Sequence, residues 1–140
     1  MRRLGALSCL VLLAAGCGTA LTPDHLAPDV ASTYANLYSL QQQRLGRTDV
    51  QRTSLKPVGA CRRTGTAAKG PGDDWTCRVQ LVDGGVPVTS TLEVQLKPDG
   101  CWTADAPPAS QPAVLVNPAT AGAVTNPLAE FDGCLDTSWQ

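Results

Sequence analysis

The sequence predicts an α+β domain: one N-terminal amphipathic helix packed on a three- to four-stranded antiparallel meander, two disulfides, and an irregular C-terminal tail. Three observations predict it. Apolar residues recur at helical spacing between Pro28 and Leu45. Between Trp75 and Leu96 they alternate with polar ones on either side of Gly84-Gly85. Four cysteines, Cys61, Cys77, Cys101 and Cys134, are spread through the same region in an even number. The chain has 140 residues, enough for one domain and too few for two separate cores. Its 11 basic and 12 acidic side chains supply no positive field for gripping phosphate backbones, so no nucleic-acid partner is expected.

The first element is a leader. Met1-Arg2-Arg3 is a charged start, and Leu4–Ala15 is an apolar run that stops at Gly16-Cys17, short of the roughly 20 residues a spanning helix needs. Ala14-Ala15-Gly16-Cys17 resembles the lipobox of bacterial lipoproteins, although the position three before the cysteine is Ala14 where Leu is usual. The resemblance implies a signal peptide over residues 1–16 and a diacylglyceryl, palmitate-type lipid on Cys17. Each buried methylene of such chains contributes about 0.8 kcal/mol, so two or three of them hold a protein on a membrane without spanning it. The implied location is the extracytoplasmic face of the cell membrane. The alternative is an ordinary signal cut after a small residue such as Ala20, with Cys17 discarded.

Residues 17–27, with Pro23, read as a lipidated tether. The domain proper is then 28–104. Val30, Tyr34, Leu37, Tyr38 and Leu45 form one helical stripe, with Pro28 suited to the first turn and Gly46 to the stop; Gln41-Gln42-Gln43-Arg44 is then solvated. Thr53–Arg63 carries Pro57 and reads as an edge strand. A two-residue loop at Gly84-Gly85 sets Leu81 opposite Val88, Cys77 opposite Leu92 and Trp75 opposite Val94, which matches the apolar faces. Lys97-Pro98-Asp99-Gly100 should form a three-residue hairpin in which Trp102 pairs with Leu96. Residues 105–140 read as an Ala/Pro-rich tail clipped back to the domain.

Cys9 falls in the leader and Cys17 takes the lipid, leaving four cysteines. Outside the membrane an even set in a small domain poor in aromatics is a disulfide framework, not a metal site, since no Cys-x-x-Cys pair occurs and His25 is the sole histidine. Cys61 and Cys77 are symmetric about Lys69 in the loop between them, so a hairpin there pairs them. Cys101 then joins Cys134 by exclusion. Cys61, the Gly-rich loop, Trp75-x-Cys77 and the turn Asp99-Gly100-Cys101-Trp102 together resemble small actinobacterial lipoproteins of uncharacterised function. That resemblance implies architecture over residues 28–104 and carries no catalytic residue.

No catalytic, cofactor-binding or metal-ligating residue is identified. His25 sits on the tether, the serines lack a Gly-x-Ser-x-Gly signature, and Asp73-Asp74 and Asp132-Gly133 read as turn chemistry. The expectation is a non-enzymatic, membrane-anchored binding or envelope-accessory module. It would be a monomer, with a protein partner of unknown identity and no cofactor. The alternative is a secreted hydrolase or enzyme-inhibitor domain whose site is unreadable. The candidate surface is the polar sheet face, Thr76, Arg78, Gln80, Thr89, Thr91, Glu93 and Gln95, with the charged loop Arg62–Asp74; its bland reading is a solvated face.

Overall fold

The computed structural model describes residues 21–136. One helix, α1 (Pro23–Arg44), lies on one face of a five-stranded antiparallel sheet built from β1 (Val58–Arg63), β2 (Gly72–Asp83), β3 (Val86–Leu96), β4 (Cys101–Asp105) and β7 (Glu130–Cys134), in that spatial order. Between β4 and β7 the chain forms a separate two-stranded hairpin, β5 (Val114–Val116) with β6 (Ala123–Thr125). The α+β architecture and the meander are as the residue pattern predicts; the sheet has one strand more.

The helix starts at Pro23, ahead of the expected Pro28, and so takes up part of the expected tether. The reason is packing. Leu26 and Ala27 are buried, and the extra turn costs little because Pro23 sits at the start, where its missing N–H is an orphan anyway. Pro28 then falls inside the helix and removes only the bond to the Asp24 carbonyl, which is on an exposed residue. At the other end Gly46, with φ 93°, donates to the Gln43 carbonyl at 3.0 Å while Arg47 donates to that of Gln42 at 2.8 Å, a Schellman stop.

The inner face of the sheet carries Trp75, Cys77, Val79, Leu81, Leu92, Val94, Leu96, Trp102, Ala104 and Phe131, and α1 covers it with Leu26, Val30, Tyr34 and Tyr38. The observed register pairs Leu81 with Val88, Cys77 with Leu92, Trp75 with Val94 and Leu96 with Trp102, as expected from the turns. Gly100, with φ 85°, closes the third hairpin, where Lys97 donates to the Cys101 carbonyl at 2.8 Å. The first strand comes closest to the helix. A Cβ on Gly59 would stand 2.3 Å from the Ala27 carbonyl oxygen, so only glycine admits this contact.

Both disulfides join directly opposed residues. Cys61 pairs with Cys77 across β1 and β2, and Cys101 with Cys134 across β4 and β7. The second bridge clips a strand, not an irregular tail. Asp132 and Gly133, expected in a turn, lie in β7, and the glycine is there for closeness: an added Cβ would stand 2.5 Å from the Trp102 indole.

The solvated reading of Gln41 and Gln42 is overturned, since both are buried. Arg47 donates to Gln42 (3.0 Å), Gln42 to Gln41 (3.1 Å) and Gln41 to Asn126 (2.8 Å), whose own amide donates to the Pro112 carbonyl (2.8 Å). This seam holds residues 111–128 against the helix.

Two outcomes follow for stability. With sequence separations of 16 and 33 between the linked cysteines, loop entropy assigns about 3 and about 4 kcal/mol to the two bridges. Reduction should therefore lower the urea midpoint sharply, and alkylation of the native protein should label none of the four thiols. Gly133→Ala should cost about 1–3 kcal/mol, because the indole of Trp102 must move within a packed core; Gly84→Ala, with open space around its Cβ, pays only for its positive φ.

Candidate functional site

Alternation decides which side chains reach solvent. On the outer face, which no described helix or strand covers, neighbouring strands align Arg62, Thr76, Glu93, Asp105 and Glu130 in one lateral row, because Arg62 pairs with Thr76, Thr76 with Glu93, Glu93 with Asp105 and Asp105 with Glu130. The next row sets Ala60 beside Arg78 and Thr91. Past the start of β2, where Asp73 and Asp74 lie, charge on this face is segregated: Arg62 and Arg78 stand on β1 and β2, while Glu93, Asp105, Glu130 and Asp132 stand on β3, β4 and β7.

Arg62, Thr76, Arg78 and Thr91 line a shallow cavity of about 320 Å³ with Ala60 and Cys61. The acidic half borders a second cavity of about 450 Å³, where Glu93, Asp105 and Glu130 meet Pro107, Pro108 and Gln111 of the returning chain. Among the described residues no group of three or more His, Cys, Asp or Glu side chains is arranged to hold a metal ion.

His25 is placed by the longer helix in its first turn, not on a tether, with Nδ1 3.2 Å from the Thr22 hydroxyl. It lines a cavity of about 380 Å³ with Asp24, Asp29, Ser32 and Asp136. Histidine, serine and aspartate share this hollow, but two are committed elsewhere. Asp29 accepts from the Trp102 indole at 2.7 Å, and the Ser32 hydroxyl accepts from Arg52 at 2.7 Å. These bonds seat a core tryptophan and fasten the turn Arg52–Ser54 to α1.

No protein family, characterised protein or solved structure matches this chain.

Cys17 and Cys9 lie outside the described residues. No helix among the described residues is long and apolar enough to cross a membrane. The other cysteines are all bridged. Asp73 and Asp74 lie at the start of β2, not in a turn, and Asp74 has a structural job: it accepts from Arg63 at 2.7 Å and from the Gly65 N–H at 3.0 Å. The Arg63 hydrogen bond holds its carboxyl below the usual carboxylate range. Arg63 also stacks over Trp75, 5.8 Å from the ring centroid, and donates to the Lys69 carbonyl, so it fixes the loop between β1 and β2.

At the far end of the helix Asp83 accepts from Tyr38 at 2.8 Å and from Arg47 at 2.6 and 2.8 Å. Arg47, more than the tyrosine, depresses the Asp83 carboxyl. Burial first, and then the bond to Asp83, pushes the Tyr38 phenol up to about 12. The folded state therefore keeps a proton that the unfolded state releases near 10. The associated stability is intact below pH 10 and is lost as pH rises toward 12. Tyrosinate absorbance should show Tyr38 titrating above Tyr residues in the unfolded chain, and Asp83→Asn should bring its midpoint down, because both the acceptor and its charge weaken.

Proposed function

We propose that this chain is a lipoprotein anchored through Cys17 on the extracytoplasmic face of the membrane, and that its domain is a non-enzymatic binding module working through the outer face of the sheet. The observation that carries the reading is that face: five strands wide, covered by no described helix or strand, and divided into a basic and an acidic half. A face kept only for solubility gains from interspersed charges of both signs. Segregated charge instead gives a partner an orientation and speeds its approach. Two disulfides in a small domain suit an oxidising compartment outside the cytoplasm. With every described cysteine bridged, no described thiolate is at hand as a nucleophile.

Two measurements test it. Cys17→Ser should abolish lipid labelling and leave uncleaved precursor; unchanged mature mass and membrane retention would remove the lipoprotein reading. For the module, membrane-extracted protein should capture a partner that is lost when Thr91 on the outer face is replaced by Trp and kept when exposed Asn36 of α1, in the layer on the other side of the sheet, is replaced likewise. Equal capture by both variants would show that the sheet face is not the binding surface.

A further inference from the structure

The described chain holds six arginines, and four of them are occupied. Arg44 donates to the Thr125 carbonyl, Arg47 to Asp83, Arg52 to Ser32 and Arg63 to Asp74. Arg62 and Arg78 make no hydrogen bond or ion pair with any described residue, and they are neighbours. Arg62 pairs with Thr76 and Arg78 with Ala60, so the two stand diagonally across β1 and β2 on the same face, about 7–8 Å apart at the backbone and within mutual reach of long side chains. Two exposed guanidiniums so placed repel one another, and an anion between them would convert that repulsion into attraction.

We infer that the cavity lined by Arg62, Thr76, Arg78 and Thr91 is a binding site for a phosphate group; this deepens the reading of the outer face as a binding surface and rests on it. The donor set selects the ligand. Two planar guanidinium forks and two hydroxyls offer more N–H and O–H donors than the roughly four lone-pair sites of a carboxylate accept, whereas a phosphate group presents three or more oxygens to them. The volume, about 320 Å³, suits a small headgroup rather than a large ligand. In the register Glu93 adjoins this cavity beside Thr76 on β3, and it borders the neighbouring hollow instead, while Asp74, two residues before Thr76 on β2, is taken up by Arg63 and the Gly65 N–H.

Chain geometry brings one phosphate source close. The Leu21 carbonyl accepts from the Gly70 N–H at 2.7 Å, which fastens the start of the described chain to the loop between β1 and β2. Cys17 is four residues before Leu21 and reaches no further than about 14 Å from it. A lipid on Cys17 therefore holds the β1–β2 end of the sheet, with Arg62 and Lys69, against the headgroup layer, where anionic lipids attract basic side chains.

The test uses mature protein extracted from membranes into neutral maltoside micelles, with the arginine Nε–Hε resonances followed by NMR as inorganic phosphate is added. Arg62 and Arg78 should shift together and saturate. Arg62→Gln and Arg78→Gln should each weaken binding about tenfold or more, the scale of one charge-assisted contact. Glu93→Gln should tighten it, and Arg52→Gln should leave it unchanged. Added salt should weaken it. All four positions are exposed, and unchanged melting curves would show that the variants remain folded. In vesicles of phosphatidylglycerol the two resonances should already be shifted, and in phosphatidylcholine less so; that pattern supports the headgroup as the source. Equal spectra in both vesicles, with saturable phosphate binding in micelles, would support a free phosphate ligand. Absence of a saturable shift, or a shift that survives both Gln variants, would overturn the site. Because the micelle titration needs no anchor, its failure leaves the Cys17 and Thr91 tests of the anchored module standing.

Discussion

One helix can cover only one face of a sheet, and that limit shapes everything else in this domain. The 22 residues of α1 extend about 33 Å at 1.5 Å per residue, enough to lie along the strands from β1 to β7 but with nothing left for the opposite side. The core-forming apolar side chains of the central strands must therefore sit on one set of alternate positions. They do: Trp75, Cys77, Val79 and Leu81 on β2 face Leu92, Val94 and Leu96 on β3, while the residues between them are polar and exposed Val82, at the end of β2, stands outside the set. A shift of one residue in the β2–β3 or the β3–β4 hairpin would set Trp75 and Trp102 on opposite faces, so the turns at Gly84-Gly85 and Pro98-Gly100 carry the core as much as the apolar residues do.

A core drawn from so few aromatic residues is closed by specific ties. Trp102 shows how they converge. Its ring stands edge-on to Phe131 with centroids 5.9 Å apart, its N–H is held by Asp29 of the helix, and Gly133 clears the space that its six-membered ring occupies. One side chain thus joins α1, β4 and β7, and the Cys101–Cys134 bridge sits one register position away. The Gln41–Asn126 seam does for the returning chain what the bridge does for β7. Its atoms are buried, so each amide must find a partner, and each does so in a connected series running from Arg47 to Pro112.

Much of this was legible in the residues, and the limits have physical causes. Hairpin registers follow from turn chemistry and strict alternation, both local, and they led to the right disulfide pairs. The helix start was misplaced because Pro28 is a strong local signal, whereas the burial of Leu26 against the sheet is a tertiary fact that overrides it. Gln41 and Gln42 read as solvated for a similar reason: amides carry no apolar signal, and Gln41 finds its partners some 70 to 85 residues away, with Gln42 bonded to it in turn. Asp132-Gly133 has the composition of a turn, and only the position of Trp102 explains why a strand needs that glycine. The polar outer face was visible as a pattern of alternate residues. Its division into basic and acidic halves was not, because that depends on strand order across β4 and β7, which no local pattern specifies.

Adjacent arginines show how the two faces of β1 separate packing from recognition. Arg63 points toward the helix side, where Asp74, Trp75 and the Lys69 carbonyl take up its charge and its flat face. Its role is spent on the loop it holds. Arg62, one residue earlier, points outward by the same alternation and meets Thr76, Ala60 and Arg78 with no carboxylate among them. The domain contains acidic residues enough to neutralise it: Glu93 is two strands away in the same lateral row, followed by Asp105 and Glu130. The fold places them on the far strands, with uncharged Thr76 between. Folding the core needs no such separation, since any polar residue serves on a solvated face and mixed charges serve solubility better. The separation leaves two guanidiniums unneutralised beside the end of the chain that carries the proposed anchor, where an external anion gains the most from meeting them.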